Sequence, residues 1–398
     1  MFKVTFSFED GSMVETFANA GDNLLEVARG ANVAIDAPCS GNGACGKCRV
    51  QLKSGELESK KTLHISDEEY QAGWRLSCCS KISADVNVLV PDIASAYKSR
   101  MKVADLSSKE EIAIFENAKS DIQLAGIELK NSLEVVDVLM DVPSLDDTMP
   151  DNERLTRALR KYLNINRVRI PYVVLKKLPD VLRENNFAVK CVIRATSDDM
   201  YVYDIFGKDE DVVIGGLAID IGTTTVSAVL INMENGEILA KSSAGNGQIR
   251  FGADVINRIV ESQKPGGQKK LQDAVIKETI NPMIHEMCKS AKFPKDHIYR
   301  MCVASNTTMN HLFAGINADP LRTEPYIPAF FKTNSLFASD VGVDINKDAH
   351  IIMAPNIGSY VGGDITAGTL VSQIWNRPEF SLFIDLGTNG ELVFGNSD

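Results

Sequence analysis

Phe2-Lys3-Val4-Thr5-Phe6-Ser7-Phe8 alternates apolar and polar residues, and Met13-Val14-Glu15-Thr16-Phe17 does so again. With Glu9-Asp10-Gly11-Ser12 between them, this period of two predicts a β-hairpin over 2–17. A helix is predicted from about Asn23 to Gly30, then strands at Arg49–Leu52 and Val86–Val90. Residues 93–130 are polar and hold one helical stretch, Glu110–Ala118, capped by Ser107 or Ser108. Beyond them the pattern predicts a strand at Leu133–Leu139, helices near Asn152–Leu163 and Tyr172–Asn185, and strands at 187–194 and 200–206. The region from 213 onward begins and ends with apolar strands.

These shifts divide the chain into 1–92, 93–130, 131–212 and 213–398, as expected for 398 residues, too many for one core. The fold class is multidomain, α/β and α+β. Hydrophobic content of 44% with 24% charged residues is ordinary for a globular protein. A net charge of −11 argues against nucleic acid as a partner, because neutralising phosphates requires basic patches. No apolar run approaches the roughly 18 residues that cross a membrane, and the N-terminus lacks a signal-peptide pattern. The expected location is the cytoplasm.

The cysteines change the picture most. Cys39-Ser-Gly-Asn-Gly-Ala-Cys45-Gly-Lys-Cys48 places three thiols on a loop with three glycines, and Cys78 follows thirty positions later. Four thiolates arranged as three plus one suit a [2Fe–2S] centre. Gly41, Gly43 and Gly46 let the backbone wrap the loop closely and aim N–H groups at sulfur. Structural zinc uses four thiolates as two short pairs, and a disulfide framework belongs to secreted chains. Cys79 adjoins Cys78, and side chains alternate along an extended segment, so only one of the two faces the cluster. Cys191, Cys288 and Cys302 lie in apolar patterns and are expected to be buried small hydrophobes.

An internal repeat is the second chemical signal. Leu217-Ala218-Ile219-Asp220-Ile221-Gly222-Thr223-Thr224 is echoed by Leu382-Phe383-Ile384-Asp385-Leu386-Gly387-Thr388-Asn389, 165 residues on. Each copy is an apolar strand ending in Asp followed by a Gly-Thr turn. Such a turn offers N–H groups and hydroxyls to phosphate oxygens, and the Asp can hold Mg²⁺ through water or orient an attacking water. Between the copies, Arg250, Asp254 and Arg258 are spaced to share one helical face, as a ligand row or a solvated ion-pair row. Ser305-Asn306-Thr307-Thr308-Met309-Asn310 suits ligand contact or helix capping, and Pro355–Asp364 suits an anion or tight packing.

The cysteine spacing, with five residues between the first two ligands, resembles adrenodoxin-type ferredoxins, and so does Arg75-Leu76-Ser77-Cys78, which favours Cys78 as fourth ligand. The strand order over 1–92 matches a ferredoxin β-grasp. The repeat resembles the two phosphate motifs of the actin, sugar kinase and Hsp70 superfamily, where two ribonuclease H-like halves clamp ATP. Taken with Tyr326-Ile327-Pro328-Ala329-Phe330 and Gly362-Gly363-Asp364, the whole order resembles the reductive activators of corrinoid-dependent methyltransferases.

That resemblance implies a [2Fe–2S] ferredoxin domain over 1–92, a linker and dimerisation element over 93–130, a small α+β middle domain over 131–212, and an actin-like ATPase domain over 213–398. It implies cluster ligands Cys39, Cys45, Cys48 and Cys78, and catalytic Asp220 and Asp385 across an ATP–Mg²⁺ site formed by Gly222, Thr223, Thr224, Gly387, Thr388 and Asn389. The implied reaction is ATP-driven transfer of one electron to a corrinoid protein, returning Co(II) to Co(I). The implied partners are that corrinoid protein, an upstream low-potential electron donor and a second copy of the chain. Family members continue for about another 200 residues by resemblance, so the ATPase domain is expected to be incomplete here. Two other readings are a plain ferredoxin-type electron carrier and an activator of a 2-hydroxyacyl-CoA dehydratase type enzyme; the latter holds a [4Fe–4S] cluster between subunits.

Overall fold

The computed structural model describes every residue except 9–12, 32, 34, 36, 38–40, 42, 44–45, 92–108, 130, 164, 253, 334–335 and 388–389. The expected turn at 9–12, the caps Ser107 and Ser108, the ligands Cys39 and Cys45, and Thr388 and Asn389 therefore lie outside the described residues.

The first sheet comprises β1 (Phe2–Phe8), β2 (Met13–Ala18), β3 (Arg49–Ser59), β4 (Trp74–Leu76) and β5 (Ser80–Val90), in the order β2-β1-β5-β3-β4. β1 and β5 run parallel, with Phe6 opposite Val88, and their inward residues meet Val50 in a dry core. Helix Leu24–Gly30 covers that core with Leu24 and Ala28, and Asn23 caps it by accepting the Leu25 N–H at 3.0 Å. This is the β-grasp arrangement. β3 runs seven residues beyond the expected Leu52, because Gly55 (φ +90°) makes a bulge where a Cβ would lie 2.1 Å from the Asp85 carbonyl. The polar stretch Lys53–Glu56 hid that extension from a periodicity argument.

The second sheet has the order β6-β8-β9-β7, from β6 (Leu133–Leu139), β7 (Arg167–Arg169), β8 (Ala188–Ala195) and β9 (Asp199–Gly207). Helices Asp151–Leu163 and Tyr172–Glu184 bury Leu155, Leu159, Leu178 and Leu182 against it. The three-residue β7 is too short and too polar to have been read from the sequence.

The third sheet contains β10 (Gly215–Ile221), β11 (Thr225–Asn232), β12 (Ile238–Gly245), β13 (Ile298–Ser305), β14 (Leu336–Phe337) and β15 (His350–Met353). Its order is β12-β11-β10-β13-β15-β14, with β10, β13 and β15 parallel and β11 reversed between β10 and β12. That is the core of a ribonuclease H-like half. A separate hairpin pairs β16 (Ser381–Leu386) with β17 (Gly390–Gly395). Leu133, Val192, Tyr203, Ile214 and Tyr299 form one buried cluster that joins the second sheet to the third.

Two expectations are corrected here. Cys302 lies on β13 but is exposed, because its side chain points away from the core-facing Met301 and Val303. Arg250, Asp254 and Arg258 do not share one helix: a 3₁₀ turn (Gly247–Phe251) stops at Gly252, and a new helix (Val255–Ser262) starts with Asp254 as its cap.

Candidate functional sites

The described part of the cluster loop sits over a small apolar pocket containing Leu25, Ala37, Ile65 and Leu76. Cys48 and Cys78 meet there with their sulfurs 3.2 Å apart. Hydrogen bonding with Cys78 lowers the Cys48 thiol, and hydrogen bonding with Cys48 together with burial raises Cys78. Two adjacent, mostly buried thiols form a soft donor pair that fits a metal cluster. Gly41, Gly43 and Gly46 all take positive φ (88°, 71° and 68°). A Cβ on Gly46 would stand 2.6 Å from the His64 side chain, and only glycine satisfies both constraints.

Cys79 is closer to this site than alternation implied. Ser77–Cys79 forms a 3₁₀ turn rather than an extended segment, and the Cys78 and Cys79 sulfurs lie 3.7 Å apart. A Cβ on Gly43 would be 3.1 Å from the Cys79 sulfur, so Cys79 also faces the loop.

In the third sheet, segments that the sequence had marked separately come together. The turn after β10 is held from behind by its carbonyls. Gly222 O accepts from Asn246 Nδ2 (2.8 Å), Thr223 O from Arg258 Nη2 (2.5 Å), and Thr224 O from the Asn246 N–H (2.8 Å). In a trans peptide the C=O and the following N–H point opposite ways, so these bonds turn the Thr223 and Thr224 N–H groups outward. Successive outward N–H groups suit an anion.

Asn306 donates to Thr223 Oγ1 at 3.4 Å and also caps helix Thr307–Ala314. Asn310 Nδ2 donates to Asn356 Oδ1 at 2.8 Å, and Thr307 Oγ1 donates to Gly358 O at 2.6 Å. Gly362 passes so close to β13 that a Cβ would lie 2.3 Å from Ser305 O. The segments 222–224, 305–310 and 355–364 thus surround one place.

Carboxylates gather beside it. Burial raises Asp220 to about 6, and the Asp364 and Asp385 charges add to the shift. Asp220 is crowded by protein yet keeps a solvent-exposed edge, so water screens part of this repulsion. Asp364 is raised by burial and then by Asp385; Glu391, opposite Asp385 in the β16–β17 register, is raised by burial, Asp364 and Asp385. The structure brings Asp220 within electrostatic reach of Asp385. It adds Asp364 and Glu391, which sequence reasoning had not assigned. The hairpin register was the available signal for Glu391, since Asp385 and Glu391 flank the turn symmetrically. Among the described residues, no three Asp, Glu, His or Cys side chains converge to hold a metal ion by themselves. Mg²⁺ needs no such cage, because one or two carboxylates with phosphate oxygens and water suffice.

Comparison with known proteins matches three regions of the chain. Residues 7–83 match the 2Fe-2S iron-sulfur cluster binding domain, 122–212 the RACo linker region, and 215–377 the RACo middle region. Corrinoid activation enzyme RamQ of Eubacterium limosum is 28% identical over 377 residues, covering 94% of this chain and 56% of the relative. Over 91 residues the chain is 34% identical to one component of the Na(+)-translocating NADH-quinone reductase of Actinobacillus succinogenes, 22% of each protein. A solved reductive activator for corrinoid, iron-sulfur protein superposes over 100% of this chain with TM-score 0.60 and 33% identity, and the match spans 62% of that protein. The chain thus spans little more than half the length of these activators. Throughout its own length it resembles the corrinoid reductive activators, region by region and in the same order.

Proposed function

We propose that this chain carries out the electron-delivery and nucleotide-binding parts of an ATP-dependent corrinoid activator. The whole-length likeness to a reductive activator is the observation that carries the reading. In this proposal Cys39, Cys45, Cys48 and Cys78 hold the cluster in the ferredoxin domain, 1–92. A [2Fe–2S] cluster held there would supply the one-electron carrier for returning a corrinoid protein's Co(II) to Co(I). The apolar pocket around Cys48 and Cys78 keeps water from their sulfurs.

Asp220 and Asp385 hold Mg²⁺-ATP with Gly222, Thr223, Thr224, Gly387, Thr388 and Asn389, on the domain 213–398. Asp220, drawn toward neutrality first by burial and then by the Asp364 and Asp385 charges, would be held in its charged form by a bound Mg²⁺. ATP is needed because a plant-type [2Fe–2S] centre lies near about −400 mV, and the resemblance places free Co(II)/Co(I) lower. Each 100 mV of uphill transfer costs about 2.3 kcal/mol per electron. Nucleotide shifts the step only by binding two states of the activator–corrinoid complex unequally. The segment 93–130 tethers the ferredoxin domain to 131–212 and pairs two protomers, in the cytoplasm, where thiols stay reduced.

The test mixes the protein with a corrinoid protein, a low-potential reductant and Mg²⁺-ATP. Loss of the Co(II) spectrum with growth of Co(I), dependent on ATP, is expected. Equal reactivation without ATP, or by residues 1–92 alone, would leave a plain electron carrier.

A further inference from the structure

Arg258 is fully buried, yet among the described residues none of its hydrogen-bond acceptors is charged. Its guanidinium donates to Thr223 O (2.5 Å), Gly252 O (2.8 Å), Gln248 Oε1 (3.2 Å) and Met309 Sδ (3.2 Å). Asp254, the carboxylate whose charge acts on it, spends its oxygens on the Asn257 N–H (2.9 Å) and Nδ2 (2.7 Å). Burial pulls the guanidinium down to about 9, which still leaves it protonated at neutral pH.

A buried cation without a carboxylate partner is an expensive way to fill a core, since an apolar side chain fills it without the desolvation cost. What an apolar residue cannot do is grip two carbonyls in a fixed fork. Those carbonyls are the turn after β10 and the end of the 3₁₀ turn, and Gly252 permits the chain reversal that brings them together: a Cβ there would stand 2.9 Å from the Arg258 N–H.

We propose that Arg258 is the positioning residue of the phosphate turn: it clamps the Thr223 carbonyl inward, which fixes how the turn presents its N–H groups to the anion, and backs the turn with a fixed positive charge. This rests on the nucleotide reading for its ligand, but not for the clamp itself. The ligand class is a di- or triphosphate, engaged through backbone N–H groups.

The experiment compares Arg258→Met, which removes the charge, and Arg258→Lys, which keeps charge without the fork. Hydrogen–deuterium exchange of a peptide covering 220–226 reads the clamp, with 298–305 as control. Titration with Mg²⁺-ATP, pyrophosphate and adenosine reads its consequence. In folded Arg258→Met the turn should exchange about tenfold faster while the control holds. Pyrophosphate and Mg²⁺-ATP should weaken about tenfold, with adenosine unchanged. Arg258→Lys should show the faster exchange with a smaller loss of affinity. Parent-like exchange in either folded variant overturns the proposal, as does failure of both to fold, which would assign Arg258 to the core alone. If the parent itself binds neither phosphate ligand, the nucleotide reading fails, and the exchange result still decides the clamp.

Discussion

Tyr203 offers a test in which removing a polar group should strengthen the protein. The side chain is 1% exposed, at the seam where β9 meets β13. Its ring stands edge-on to Tyr201 at 4.9 Å and to Tyr299 at 5.7 Å. Among the described residues its hydroxyl has no hydrogen-bond partner, and burial raises its pKa. A buried, unpaired hydroxyl costs about 1–3 kcal/mol, whereas the ring itself carries the packing. Tyr203→Phe keeps the ring and removes the cost. Because the neighbouring Arg194 and Arg300 charges favour a polar group there, we expect the lower end, a gain of about 1 kcal/mol. That corresponds to roughly 2–4 °C in the midpoint of a unit of 150–250 residues. Urea unfolding followed by circular dichroism would show a higher midpoint at unchanged slope. Tyr203→Ala, which empties the seam, should instead lose about 3–5 kcal/mol. A Tyr203→Phe variant less stable than the parent would show that the hydroxyl is satisfied, and the account of the seam would be wrong.

The other predictions concern chemistry and pH. Cys78→Ser should abolish the normal reduced-state EPR signal and Cys79→Ser should retain it; the reverse pattern would make Cys79 the ligand. Asp220→Ala and Asp385→Ala should each depress ATP hydrolysis in the intact protein while leaving the visible spectrum of the cluster unchanged, and parent rates in both would remove them from the site. His350, half-buried beside Arg194 and Arg300, is lowered to about 4, first by burial and then by those charges. The unfolded chain binds this proton below about 6.5 and the folded chain only below about 4, so stability falls on acidification through that window. His350→Gln should flatten the fall by roughly 1–3 kcal/mol, read as the difference between variant and parent because Asp220, raised to about 6, titrates with the opposite sign. An unchanged pH profile would show that His350 is freely solvated.

The parts of this protein that depend on neighbours in the chain were legible without a structure. The spacing of Cys39, Cys45 and Cys48 and the Gly-Thr pairs after Asp220 and Asp385 are written in the sequence itself, and the period-two strands follow from backbone geometry acting over a few residues. Strand boundaries moved where tertiary pairing overrode the pattern, as when β5 drew β3 through the polar Lys53–Glu56 stretch. Other features needed the assembled fold. Arg258 has the spacing of a surface ion-pair residue, and only the break at Gly252 and the return of the chain under β10 bury it behind Thr223. Cys302 has the pattern of a core residue, and its exposure reflects what covers each face of the third sheet. Asp364 joins Asp220 and Asp385 from a helix start nearly 150 residues beyond the first of them, through contacts that no local periodicity encodes. Local conformational preference is written residue by residue, whereas burial, field and convergence are properties of chain segments that meet only after folding.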